Sequence, residues 1–175
     1  MIAILINILA VAILCALVYL LLRPMVRGAI YFPTSPARTQ TIMELARIGP
    51  DMRVIDLGSG DGRLLLAAAA RGAYAVGYEV NPLLVWQSRR LIRQQGLSES
   101  AVVIYKSLWR ADLRDFDVIL VYGLPAIMRQ LGQKILREAR PGTLVVSNAF
   151  RFPNWEPVAQ RENILLYRVP PPMSA

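Results

Sequence analysis

Val54-Ile55-Asp56-Leu57-Gly58-Ser59-Gly60-Asp61-Gly62-Arg63 is the stretch whose reading decides the fold. An apolar run ends in an acid, glycines stand at every second position, and the helix-forming run from Leu64 to Ala70 follows. Buried strand, tight turn, helix is the order of a nucleotide-type crevice at the carboxyl end of a parallel strand. Gly58, Gly60 and Gly62 allow positive φ and, lacking Cβ, let a ligand lie against the backbone. The amides that open the helix are expected to point at that ligand.

The spacing narrows the choice of ligand. A dinucleotide turn reads G-x-G-x-x-G, and its third glycine would fall on Arg63. The pattern here is D-x-G-x-G-x-G, with Asp56 before the loop and no phosphate-binding lysine. Such a turn suits a cationic ammonium and a ribose better than a pyrophosphate. A second short strand, Tyr74-Ala75-Val76-Gly77-Tyr78-Glu79, ends in an acid 17 positions past Gly62. A carboxylate there can accept hydrogen bonds from both ribose hydroxyls. The plain alternative is an ordinary glycine turn beside a solvated acid. The turn resembles motif I of the class I S-adenosylmethionine methyltransferases. That resemblance implies S-adenosylmethionine as cofactor, with S-adenosylhomocysteine as product. The cofactor contacts it implies are Asp56, Gly58, Ser59, Gly60, Asp61, Gly62, Glu79 and Asn81.

The whole chain sets outer bounds. Its 175 residues allow one compact domain with an appendage. A hydrophobic content of 55% is high for a soluble protein, and the excess sits at the N-terminal end. The net charge is +8, almost all of it arginine, since Lys106 and Lys134 are the only lysines. Basic proteins bind nucleic acid or anionic membranes, yet these arginines are scattered along the sequence. Cys15 is the single cysteine, which excludes an internal disulfide. The chain has no histidine, so His triads, His metal sites and imidazole bases are excluded together. No metal site is expected.

Residues 1–22 hold no charged side chain and one polar amide, Asn7. About 20 apolar residues span a bilayer core of ~30 Å as a helix. A cleaved signal peptide would need basic residues before a shorter apolar core; none precedes this one, and Arg23-Pro24 follows it. The reading is an uncleaved single-pass anchor. Arg23, Arg27 and Arg38 then place the remaining chain in the cytoplasm, with the N-terminus outside. The juxtamembrane linker 23–34 is short, and Tyr31 and Phe32 are expected to add interfacial contacts. An anchor of this form matches the inner membrane of a prokaryote.

Ser35-Pro36 reads as an N-cap and first helical position, and the helix is expected to stop at Gly49-Pro50 and to cover one end of the crevice. Strands are then expected at 53–58, 74–79, 102–105, 117–122 and 143–147. Helices are expected at 62–71, from Asn81-Pro82 to Gln95, and from Pro125 to Ala139. This alternation implies a mostly parallel, Rossmann-like α/β sheet. Residues 158–169 are expected to form an antiparallel hairpin at its edge, which closes a domain of 35–169 and leaves 170–175 as a loose tail.

After the third strand, Ser107, Leu108 and Trp109 stand where class I methyltransferases contact the adenine. An acid is usual at the position of Ser107; a hydroxyl bonds more weakly. Trp109 is either an apolar wall for the ring or simply core. The D/N-P-P-aromatic loop of the nucleic-acid amino-methyltransferases is absent, and Tyr122-Gly123-Leu124-Pro125 stands in its place. No nucleic-acid substrate is expected.

A narrower resemblance rests on an ordered set of motifs. They are Phe32-Pro33-Thr34, the glycine loop, Glu79-Val80-Asn81-Pro82, Leu108-Trp109, Tyr122-Gly123-Leu124-Pro125 and Phe152-Pro153-x-Trp155. Together they resemble the membrane-anchored protein-lysine methyltransferases of the ATP synthase c subunit and the adenine nucleotide translocase. The resemblance implies methyl transfer to a lysine ε-amine of a membrane protein, the c subunit first among candidates. A lipid or quinone-like substrate and a non-catalytic S-adenosylmethionine-binding protein remain alternatives. Tyr122, Phe152 and Trp155, with Phe150, are candidates for lining the substrate slot, against hydrophobic packing at the sheet edge. No general base is evident, and none is required if desolvation lowers the lysine pKa.

Overall fold

The computed structural model describes residues 2–27 and 33–171. Helix α1 runs Ile2–Arg27 and so continues into the linker expected at 23–34. Its described side chains, Ile4 and those of 6–19, are all exposed. Among the described residues no helix is long and apolar enough to cross a membrane. The expected anchor is therefore not established by the fold. Tyr31, Phe32 and the last four residues of the expected tail lie outside the described residues.

The rest is a single sheet with helices on both faces. Its strands are β1 (Arg53–Leu57), β2 (Tyr74–Glu79), β3 (Ala101–Tyr105), β4 (Val118–Val121), β5 (Leu144–Asn148), β6 (Ala159–Arg161) and β7 (Ile164–Arg168). They lie in the order β3-β2-β1-β4-β5-β7-β6. The first five are parallel, and the hairpin β6–β7 closes the edge antiparallel to β5. Strand order turns around between β1 and β4, and in open α/β sheets that is where ligands bind. This is the Rossmann-like arrangement that the sequence implied.

Period-two alternation sorts the core into two layers. Val54, Ala75, Val103, Val118 and Leu120 face a layer that holds Ile42, Met43, Leu65, Ala68, Val85 and Ile92. Those residues come from α2 (Pro36–Leu45), α3 (Arg63–Ala69) and α4 (Pro82–Gln94). Ile55, Leu57, Ile119, Val121 and Val145 face the other side. There α5 (Pro125–Glu138) contributes Met128, Leu131 and Ile135. Loop residues Leu113, Phe116 and Phe152 complete that layer where no second helix lies. Between β3 and β4 the only helical piece is a short 3-10 turn, Leu108–Arg110. Lys134 on α5 fastens this segment: its Nζ donates to the Ala111 carbonyl at 2.7 Å and pairs with Glu138.

Helix ends follow the chemistry read from the sequence. Ser35 caps α2 by accepting from the Arg38 amide, and Asn81 caps α4 by accepting from the Leu83 amide at 3.0 Å. Helix α2 ends at Leu45, four residues before Gly49, where the expected stop lay.

Candidate active site

The glycine loop joins β1 to α3 at the turning point of the sheet. Gly62 has φ of +83°, and a Cβ there would come within 2.1 Å of Ser88 Oγ on α4, so both backbone and packing require glycine. Gly77 plays the matching part in β2: a Cβ on it would meet Ser59 Oγ at 2.5 Å and Leu65 at 2.6 Å. The loop therefore lies flat on β2. Ser59 turns its hydroxyl down into this contact, where it is buried without a hydrogen-bond partner. In front of Gly58 there is open space, with nothing within 4 Å of an added Cβ.

The loop amides are bonded within the chain, and the amide of Arg63, which opens α3, donates to Asp61 Oδ1 at 3.3 Å. The Gly58 and Ser59 amides both donate to the Tyr78 carbonyl, at 2.9 and 3.1 Å, and the Gly62 amide donates to the Ser59 carbonyl. The Gly60 amide donates to Glu79 Oε2 at 2.9 Å. An anion-binding loop keeps such donors free for its ligand. Here they serve the chain itself, and the rim of the loop is acidic.

Three carboxylates form that rim. Asp56, 3% exposed at the end of β1, has its pKa raised to about 8 by burial, with Glu79 and Asp61 adding repulsion. Glu79 at the end of β2 also accepts from the amides of Val80 and Asn81, at 2.8 and 2.7 Å. With Gly60, three of its roughly four acceptor positions are filled. Asp61 binds Arg63 through both oxygens, at 3.0 and 2.7 Å. A cation at the loop relieves the first two acids, and a hydroxyl can take the remaining position on Glu79. The acceptor set fits the ammonium and ribose of S-adenosylmethionine and does not fit a pyrophosphate.

The neighbouring candidates divide. Ser107, Leu108 and Trp109 are half-buried after β3, with Leu108 and Trp109 packed against the layer of α5. Tyr122 is half-buried directly after β4, whose last residue Val121 pairs with Leu57 of β1. Asn81 spends its side chain on the α4 cap. Phe152 is 3% exposed and packed against Gly132, with its ring edge-on to Tyr167 at 5.1 Å. Trp155 lies tilted against the same pair, its ring centre 5.3 Å from that of Phe152 and 5.1 Å from that of Tyr167. These aromatics pin the segment after β5, and only Tyr122 of the slot candidates stands at the turning point.

A latch across the carboxyl end of the sheet was missed. Arg63 Nη1 donates to the Thr34 carbonyl at 2.6 Å, and Asn148 Nδ2 donates to Thr34 Oγ1 at 3.3 Å. Arg38 Nη1 donates in turn to Asn148 Oδ1 at 3.1 Å. The chain entering the domain is thus tied to the glycine loop and to the end of β5. Beside it, Ala149 holds a φ of +83°, a costly conformation for alanine, with its amide on the Asn163 carbonyl. The polar sequence around Asn148, at the end of a buried strand, was the available signal.

Comparison with known proteins places this geometry among its relatives. The family profile described as the ANTKMT methyltransferase domain matches residues 56–159. The lysine N-methyltransferase of the ATP synthase c subunit from Homo sapiens is 37% identical over 145 residues, 80% of this chain and 62% of that protein. The adenine nucleotide translocase lysine N-methyltransferase of Mus musculus is 38% identical over 130 residues, 74% of this chain and 56% of that protein. A protein-lysine N-methyltransferase of Saccharolobus islandicus is 30% identical over 129 residues, 73% of this chain and 80% of that protein. Among solved structures, an RNA methyltransferase from Salinibacter ruber in complex with S-adenosyl-L-homocysteine aligns with a TM-score of 0.77 at 30% identity. That alignment covers 79% of this chain and 94% of the other.

Proposed function

The chain belongs to the ANTKMT methyltransferase family, and from that premise we propose that it is an S-adenosylmethionine-dependent protein-lysine N-methyltransferase acting on a membrane protein. The observation that carries the reading is the carboxylate rim of Asp56, Glu79 and Asp61 around a loop whose Gly58, Ser59, Gly60 and Gly62 amides are bonded within the chain. When bound, S-adenosylmethionine supplies a methyl group already activated by its sulfonium. The protein's part is to hold the cofactor, align a nucleophile and exclude water, and alignment alone is worth ~7–11 kcal/mol.

Asp56 would face the cofactor's ammonium and Glu79 its ribose, with Leu108 and Trp109 offering apolar cover for the ring. Tyr122, at the end of β4, flanks the approach of the substrate amine. A lysine with a free pKa of ~10.4 must lose its proton before attack. An apolar approach lowers that pKa without a dedicated base. The relatives' names support lysine; the apolar N-terminal helix, with Arg23 and Arg27 at its end, supports a membrane anchor and a cytoplasmic catalytic domain. The chain spans only 62% and 56% of the two mammalian relatives described above.

A second reading, methylation of RNA, is favoured by one observation, the likeness to the Salinibacter ruber enzyme. One experiment separates the two. Full-length protein, methyl-labelled S-adenosylmethionine and membranes from a deletion strain are incubated beside total RNA. Label mapped to a lysine of a membrane protein supports the proposal. Label in RNA supports the second reading, and label in extracted lipid or in nothing contradicts both.

A further inference from the structure

Three of the arginines that look scattered in sequence lie together on helix α4. Along α4, Leu83, Trp86, Arg90 and Arg93 recur at helical spacing and are all exposed. Leu83 is 69% and Trp86 59% exposed, and Tyr105 at the end of the adjacent β3 is 58% exposed. Arg90 lies over the Trp86 ring, 5.6 Å from its centre. A groove of about 310 Å³ runs between helix and strand, lined by Pro82, Val85, Trp86, Arg89, Arg93 and Tyr105. Lys106 follows Tyr105, also exposed. Helix α4 contains three arginines and no acid, and Glu99 lies beyond its far end.

The face is an exposed edge of the sheet, yet it is not free for another strand. Arg89 donates from Nε and Nη2 to the Val103 carbonyl, at 3.1 and 2.8 Å, and so blunts the β3 edge. What remains is a Leu/Trp/Tyr wedge flanked by Arg and Lys. Such rings settle at the level of lipid headgroups, and each nearby cation gains about 1 kcal/mol from an anionic surface. The wedge also begins directly after Glu79 and Asn81, so it opens at the same end of the sheet as the glycine loop.

We infer that the α4–β3 face of Leu83, Trp86, Arg90, Arg93, Tyr105 and Lys106 is a docking surface for an anionic bilayer, which seats the crevice against the membrane. The inference rests on the membrane reading above and adds a second contact to the N-terminal helix. It sets the orientation of the domain: the crevice mouth turns toward the bilayer, where a lysine close to the headgroups can enter.

The test uses the full chain with Cys15→Ser and one environment-sensitive fluorophore, on Leu83→Cys or on Gln133→Cys of α5. Each is reconstituted into phosphatidylglycerol-rich or pure phosphatidylcholine vesicles containing brominated lipid. The label at 83 should shift to the blue and be quenched at least twofold more in anionic than in neutral vesicles. The label at 133 should not respond. Arg90→Glu with Arg93→Glu should remove the difference while the chain stays vesicle-bound. Equal behaviour at 83 and 133, or a response at 83 to added RNA instead of lipid, overturns the inference. A chain that stays bound while the 83 label remains in water overturns this face alone. A chain that binds neither vesicle overturns the membrane reading beneath it.

Discussion

Asp56 sits at the end of a buried strand with Glu79 and Asp61 near enough to help hold its pKa at about 8. In the unfolded chain the same carboxyl titrates near ~3.9. Between these values the unfolded chain gives up its proton while the folded one keeps it, so stability falls as pH rises from about 4 to about 8. The slope is at most ~1.4 kcal/mol per pH unit. Asp56→Asn should remove this decline and be the more stable protein at pH 8 by a few kcal/mol; urea melts at pH 5 and pH 8 that fall in parallel for both proteins would refute it. Gly62 gives a second prediction at this scale. Gly62→Ala should cost about 2–4 kcal/mol, from the left-handed backbone and the clash with Ser88. Ser88→Ala should be nearly neutral alone, since its hydroxyl has no partner. In the double variant it should return part of the loss but not the backbone share; additive losses in denaturant midpoints would contradict the contact. Asp56, the glycines and Glu79 were legible in sequence because strand, turn and acid are contiguous. The Thr34 latch was not, because its partners lie 29 and 114 positions away.

Elements were legible where the chain is apolar or capped. Strand β4, Val118–Val121, is buried at every position, and Pro82 and Pro125 open their helices as their positions after turns implied. The stretch between β3 and β4 was less readable, because loop side chains rather than a helix cover that face. Leu113 and Phe116 do so as isolated residues without a period. Lys134 compensates by fastening this segment to α5. Lys134→Met should leave the Ala111 carbonyl unpaired and cost about 1–3 kcal/mol. It should also speed amide exchange over 106–113 and weaken cofactor binding through the adjoining 107–109 turn. Glu138→Gln, which leaves the Ala111 bond in place, should do neither. Equal exchange in both variants would show that the clip does not hold the loop.

At the scale of the molecule, an apolar N-terminal helix precedes a basic, carboxylate-centred methyltransferase domain. Reporter fusions after Ala175 should be active only for a cytoplasmic reporter if α1 anchors the chain as proposed; periplasmic activity would reverse the topology. Family membership was readable from short ordered motifs, whereas the basic and aromatic face of α4 emerged only once helix spacing and sheet order set its arginines beside Tyr105. The central claim is that the glycine loop seats a cationic cofactor against Asp56, and calorimetry of S-adenosylmethionine binding in buffers of different ionisation enthalpy tests it most directly. At pH 7, a carboxyl with a pKa of about 8 is mostly protonated, so a bound ammonium should expel about one proton. Affinity should therefore rise between pH 6 and pH 8. Asp56→Ala should bind at least about tenfold more weakly, a loss of ~1.4 kcal/mol, and release no proton. No binding by the folded wild-type chain, or binding without proton release that Asp56→Ala leaves unchanged, would contradict it.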